Sequence, residues 1–291
     1  MSANSGITGD GRPAHILPAG AWDCHTHVFG PRPLFPLAQG GAYEPPPADR
    51  DLHLATLDRL GFEHALLIQP SLYGDDHRAL LDALREGQGR LRGVGSVSAK
   101  IDRDALAALR DAGLVALRFV GVPGPDGGAY PGTQGFDQLE DLRSDMRAIG
   151  FHAHVWGSLE QCADLALGDA GDAMLLVFDH LAGLSPDDRP GTYRFDRLLD
   201  AIATGSAWIK LTYFRRSALP GDYSDMQPVV SALVEAAPHR VIWGSDWPFV
   251  RTAQVPNPSA LLNQLRSWLG EDAFRRCLSD NPAVLLGVKM P

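Results

Sequence analysis

Two histidines and a distant aspartate pose the chemical question. His25 and His27 stand two apart in Asp23-Cys24-His25-Thr26-His27. On an extended strand, residues two apart share a face. Both imidazoles then point one way and Cys24 the other. Two imidazoles buried side by side are costly unless they hydrogen-bond or bind a metal. His-x-His by itself does not separate a site from a pair of satisfied core histidines. Asp246 closes the apolar run Val241-Ile242-Trp243-Gly244-Ser245. A carboxylate among tryptophans loses solvation, which is expected to raise its pKa and suit it to general-base work. The competing reading is a turn cap, since Asp-Trp-Pro is also good turn chemistry. His180 follows Leu175-Leu176-Val177-Phe178-Asp179 and is expected at the same end of the fold as the histidine pair.

Other side chains could hold a ligand. Arg118, in Ala116-Leu117-Arg118-Phe119, is either a bidentate anchor for a substrate carboxylate or the partner of a buried acid. Arg215 and Arg216 follow Leu211-Thr212-Tyr213-Phe214, and one of them could close on an anion. His152, His154 and Trp156 share a phase, with Trp156 as a stacking wall and His154 one layer deeper. Ser71, Tyr73 and the loop residue Tyr43 are candidate hydrogen-bond donors. No Gly-x-Ser-x-Gly elbow, phosphate-binding glycine loop or Cys/His nucleophile pair is present.

These residues need elements to position them. The pattern alternates eight times. Strands are expected over 21–29, 65–69, 91–97, 114–120, 151–156, 174–179, 207–213 and 240–245. Helices are expected over 49–60, 75–86, 103–112, 136–149, 159–167, 195–203, 225–236 and, closing the chain, 259–268 and 272–277. Strands separated by helices pair in parallel through right-handed crossovers. Eight such units in roughly 250 residues are the arithmetic of a single-domain (β/α)8 barrel. The long loops, at 31–47, 121–135, 182–190, 214–224 and 246–258, all follow strands. That is the end of such a barrel where active sites are built. Residues 1–19, small, polar and Gly/Pro-punctuated, are expected to form a disordered or extended arm before a barrel over 20–291.

Composition narrows the function classes. The 291 residues carry a net charge of −9, which disfavours a nucleic-acid partner. Three cysteines do not make a disulfide framework. No apolar run reaches the roughly 18 residues of a membrane span, and no secretory signal opens the chain. A cytoplasmic monomer or small homo-oligomer acting on a small molecule is expected.

The motifs Asp23-Cys24-His25-Thr26-His27-Val28-Phe29-Gly30, Gln69-Pro70-Ser71, Leu117-Arg118-Phe119, Phe178-Asp179-His180, Trp243-Gly244-Ser245-Asp246-Trp247-Pro248 and Asn281-Pro282-Ala283, in this order, resemble the amidohydrolase superfamily. Within it they resemble the branch of 2-pyrone-4,6-dicarboxylate lactonase-like hydrolases. The resemblance implies that Asp246 activates water and that His25, His27 and His180 polarise the scissile carbonyl and position the water. It implies that Arg118 and one of Arg215 and Arg216 hold substrate carboxylates, with hydrogen bonds from Ser71 and Tyr43.

Where many members place metal ligands on strands four and five, Arg118 and Trp156 stand here. Catalysis without a cofactor is expected, with one zinc or other divalent ion on His25, His27 and Asp246 as the alternative. The pyrone lactonase pattern also has an asparagine shortly after the last-strand aspartate and a second arginine after strand four. Here Trp247-Pro248-Phe249-Val250-Arg251 and Phe119-Val120-Gly121-Val122-Pro123 take those places. The expected activity is opening of a small carboxylated lactone, whether pyrone-dicarboxylate-like, muconolactone-like or derived from a sugar acid. The alternatives are a zinc-dependent decarboxylase or hydrolase of the superfamily, a lactone isomerase, and a non-catalytic binding protein on the same scaffold.

Overall fold

A computed structural model describes residues 16–38, 41–168 and 174–288. Eight strands run β1 (Trp22–Thr26), β2 (His64–Ile68), β3 (Leu91–Gly95), β4 (Leu114–Val120), β5 (His152–Trp156), β6 (Leu176–Phe178), β7 (Ala207–Lys210) and β8 (Val241–Ile242). They pair in parallel in sequential order. Between and after them lie α1 (Arg50–Leu60), α2 (Arg78–Glu86), α3 (Arg103–Asp111), α4 (Phe136–Ala148), α5 (Leu159–Gly168), α6 (Tyr193–Ala203), α7 (Gln227–Ala236), α8 (Pro258–Arg275) and α9 (Asn281–Leu286). The expected (β/α)8 barrel is the observed fold.

Backbone hydrogen bonds between β1 and the segment after β8 bring the barrel round. Cys24 N donates to Trp243 O at 2.9 Å, Asp246 N to His25 O at 2.8 Å, and His27 N to Trp247 O at 2.9 Å. The seam therefore joins the two stretches of sequence that carry the histidine pair and the aspartate.

Local chemistry explains the elements. Asp49, Asp102, Thr192 and Asn257 cap α1, α3, α6 and α8 with side-chain oxygens, satisfying amides the helices leave unpaired. Gly61 ends α1 at φ 87°, where a side chain would be strained. The strands are apolar on both faces because helices cover the outside. On β4, Leu117 and Phe119 pack outward into the helix layer. Ala116 belongs to a smaller cluster inside the barrel with Trp22, Val177 and Trp208.

Several boundaries differ from the sequence expectation. β7 stops at Lys210 and β8 at Ile242; past Ile242 the chain runs on beside β1, where Thr26 and Trp247 form an isolated parallel bridge. The two closing helices are observed as expected: the run labelled α8 is two helical stretches separated at Gly270, whose φ 73° and ψ 170° are not helical. Strict alternation puts Cys24 on the outer face, yet it packs in the inner cluster. The pairing of β1 with β2 shifts register between Asp23 and Thr26, and this breaks the alternation.

The expected arm, 1–19, lies outside the described residues as far as residue 15. Beyond it, Leu17 is buried in the core. Among the described residues, no helix is long and apolar enough to cross a membrane.

Candidate active site

The histidine pair is delivered by the end of β1 and the loop after it. A carbonyl can only accept, so His27 Nδ1 carries a proton and donates it to Ile68 O at 2.8 Å. Its Nε2 then lies 3.2 Å from Asp246 Oδ1. His25 is fully buried, and its Nε2 lies 3.5 Å from the same carboxylate oxygen. The two rings meet edge to face at 5.0 Å. The His25 ring is also 5.1 Å from that of His180.

His180 and Asp246 stand just past β6 and β8 in left-handed backbone, at φ 50° and 57°. Residues other than glycine adopt this region sparingly, and such outliers gather at functional sites. Leu181 and Ala182 continue the left-handed run at 54° and 51°. His180 Nδ1 lies 2.8 Å from Thr212 Oγ1. Asp246 places its Oδ2 on Arg215 Nε at 2.5 Å. The four residues expected to frame the site therefore converge.

The expected elevation of the Asp246 pKa is overturned. Burial does push the carboxyl up. Arg215 and then His25, with the His27 hydrogen bond and His180, outweigh it and hold the group well below the usual carboxylate range. Burial lowers His180 to about 4, with the Asp246 and Asp179 charges opposing. It also drives His25 well below the ordinary histidine value, assisted by the Lys210 charge.

Above these residues opens a cleft of about 240 Å³, near the lower end of ligand pockets, which run from about 300 Å³. Its walls include Arg118, Arg215, Arg216 and Arg251, with Tyr43 and Ser71 on one side. Arg118 serves both readings offered by the sequence. Its Nε donates to buried Asp179 at 2.9 Å, and its guanidinium stacks over Trp156 at 5.2 Å and lines the cleft. Trp156 also meets His180 edge to face at 5.8 Å. Arg216 donates to the Gly183 and Leu184 carbonyls at 2.8 Å, and Arg251 hydrogen-bonds the Tyr130 hydroxyl.

His154, expected to contact substrate, is fully buried and lies below the cleft. It pairs in register with Arg118, and Trp156 pairs with Val120, so His154 does lie one layer deeper than Trp156. Its Nδ1 is 3.0 Å from Lys210 Nζ, and its Nε2 is 3.2 Å from His152 Nε2.

Sequence reasoning missed Lys210, Asp179, Tyr130 and Arg251. Lys210 is fully buried, with Nζ 2.8 Å from Asp179 Oδ1 and 2.9 Å from His25 Nδ1. Burial lowers its pKa and Asp179 opposes the shift. Burial would raise Asp179, but Lys210 and Arg118 hold it well below the usual range. A signal existed: each puts a charge at the end of an apolar strand run, Ala207-Trp208-Ile209-Lys210 and Val177-Phe178-Asp179.

One ligand atom each from His25, His27 and Asp246 lie within 4.8 Å of one another, the set the resemblance offers to a metal. As bonded, these residues do not fit a divalent cation. Arg215 occupies one oxygen of Asp246 at 2.5 Å, and Lys210 lies 2.9 Å from the other nitrogen of His25. A metal ion would face repulsion from both resident charges in a low-dielectric interior.

A family model described as Amidohydrolase matches residues 22–288. The 4-sulfomuconolactone hydrolase of Rhizobium radiobacter is 32% identical over 278 residues, covering 94% of this chain and 91% of that protein. The 2-pyrone-4,6-dicarboxylate hydrolase of Comamonas testosteroni is 30% identical over 249 residues, covering 81% and 79%. A crystal structure from Acinetobacter baumannii with citric acid bound superposes with a TM-score of 0.76 at 22% identity, covering 92% of this chain and 99% of that one. At that identity the likeness speaks to the fold.

Proposed function

The chain belongs to the amidohydrolase family, and from that membership we propose that it opens a small lactone carrying at least one carboxylate or sulfonate, without a metal ion. The observation that carries this reading is one ionised carboxylate, Asp246, held between two imidazoles and an arginine at the floor of an arginine-walled cleft. The lactones named for the two hydrolase relatives carry such acidic groups.

The lactone carbonyl sits over His25 and His180, whose N–H groups can stabilise the developing oxyanion, while His27, its Nδ1–H given to Ile68 O, sets its Nε2 beside Asp246 where the water is held. Asp246 takes a proton from water, and the water oxygen bonds to the carbonyl carbon. Collapse of the tetrahedral adduct breaks the bond to the ring oxygen, and Asp246 returns its proton to that oxygen. The product is the ring-opened acid. Arg215 lowers the basicity of Asp246 in the free enzyme. A substrate anion that draws Arg215 away restores that basicity when water must lose its proton.

The test is ring opening of 4-sulfomuconolactone and 2-pyrone-4,6-dicarboxylate, followed with a pH indicator and by identification of the product. Asp246→Asn is expected to reduce kcat by more than about 100-fold, the scale of general-base loss. A near-normal rate in that variant overturns the mechanism. An isomeric lactone as the product assigns the same base to isomerisation.

A further inference from the structure

Lys210 lies beneath the site and has no part in the reaction proposed above. Its Nζ meets three atoms: Asp179 Oδ1 at 2.8 Å, His25 Nδ1 at 2.9 Å and His154 Nδ1 at 3.0 Å. An ammonium has three donors and no lone pair. The three contacts use all three protons, and each partner atom must accept. A neutral imidazole that accepts at Nδ1 carries its proton on Nε2. In His154 that proton points at His152 Nε2, 3.2 Å away. In His25 it lies on a buried nitrogen with no hydrogen-bond partner, 3.5 Å from Asp246 Oδ1.

We propose that Lys210 is a positioning residue: by donating to His25 Nδ1 it fixes the tautomer in which His25 turns an N–H rather than a lone pair toward Asp246 at the floor of the cleft, setting the site up to hold an oxyanion in place of a metal ion. The surroundings show what its removal would do. Asp179 Oδ1 lies 3.4 Å from His25 Nδ1, and the ammonium is bonded to both. Without the ammonium, Asp179 becomes the acceptor for a His25 Nδ1–H. That carboxylate–histidine pair is the arrangement that supports metal-ligating imidazoles. It would turn a lone pair on His25 Nε2 toward His27 and Asp246, completing a three-ligand site of the kind zinc uses in catalysis. Asp179 would keep its other partner, Arg118, at 2.9 Å.

The inference rests on the reading of His25 as a site residue, but its test needs no turnover. The full chain is labelled with ¹⁵N-histidine, and the His25 signals are assigned by their loss in His25→Gln. In the wild-type chain, His25 is expected to show a bare Nδ1 and a protonated Nε2. In Lys210→Met the pattern is expected to invert. Affinity for zinc alone, measured by calorimetry, is expected to rise about 10–100-fold over wild type, the usual scale of such supporting partners. A wild-type His25 with its proton on Nδ1 overturns the proposal, as does wild-type zinc affinity equal to that of the variant. If Lys210→Met does not fold, the wild-type spectrum decides alone. A chain that opens no lactone yet shows this tautomer refutes the proposed reaction and leaves the role of Lys210 standing.

Discussion

Four arginines face one cleft, and their partners make them unequal. Arg118 is committed to Asp179 and Arg215 to Asp246, both full negative charges. Arg216 and Arg251 instead meet neutral oxygens, two backbone carbonyls and a phenol. A charged donor on a neutral acceptor gives up less when it turns to an anion. Arg251 is therefore the side chain best placed to hold a substrate carboxylate or sulfonate away from the reacting carbonyl. Such an anchor is equally engaged before and during the reaction, so its loss should raise KM and leave kcat little changed. A hydrogen bond to a charged group contributes about 1.5–3 kcal/mol, so Arg251→Gln is expected to lower kcat/KM by about tenfold or more. Steady-state kinetics on the best lactone decide the point: a fall in kcat at constant KM would move Arg251 from anchoring to chemistry. The sequence could not rank these arginines, because rank depends on which acid each one meets. Arg118 and Asp179 lie far apart in the chain, one on β4 and the other just past β6, strands that are not neighbours.

At the scale of elements, the positions of the reactive groups depend on how closely β1 and the segment after β8 approach. Gly244 makes that approach possible. A β-carbon there would lie 2.6 Å from His25 Cβ and 2.8 Å from its backbone nitrogen. Gly244→Ala must push β1 aside, and overpacking of this kind costs about 1–3 kcal/mol. The displaced atom set is that of His25, and misplacement by about 1 Å can cost on the order of 100-fold in rate. Urea denaturation and turnover should both fall in this variant; unchanged activity would mean that the seam does not position His25. Much of this architecture was legible beforehand. Eight alternations of apolar run and helical stripe announced the barrel, and long loops after the strands announced which end is functional. His25 and His27 were legible from their two-residue spacing on a strand, and His180 and Asp246 because each follows an apolar run. The shift in β1, the left-handed turns at His180 and Asp246, and the Lys210 contacts were not. Each is fixed by lateral register between strands, which periodicity along one strand does not encode. The depressed pKa of Asp246 was hidden for the same reason, since the sequence shows its apolar neighbours and not the arginine brought from the turn after β7.

Over the whole molecule, buried imidazoles dominate the response to acid. Burial lowers His53 and His152 to about 3 and His180 to about 4, from an ordinary value of 6.5. Burial followed by Lys210 lowers His25 and His154 well below that value. Between pH 6.5 and about 4 the unfolded chain binds protons at these positions and the folded chain does not, so stability must fall as pH falls through this range. Asp23 acts in the opposite sense. Burial raises it from 3.8 to about 7, so from pH 3.8 to about 7 the folded chain holds a proton that the unfolded chain has released. Its contribution is lost as pH rises. Burial also lowers His64 and His77, so one group opposes seven, and each contributes about 1.4 kcal/mol per pH unit while its two states differ. Net proton uptake on unfolding is therefore expected below pH 6.5, with a steep decline in the urea midpoint between pH 6.5 and 4.5. Above pH 7 these groups have the same charge in both states, and the midpoint should level off. Equilibrium urea melts at pH 8, 7, 6 and 5 test this. A midpoint at pH 5 equal to that at pH 8 would mean that these imidazoles are hydrated or charged in the folded protein.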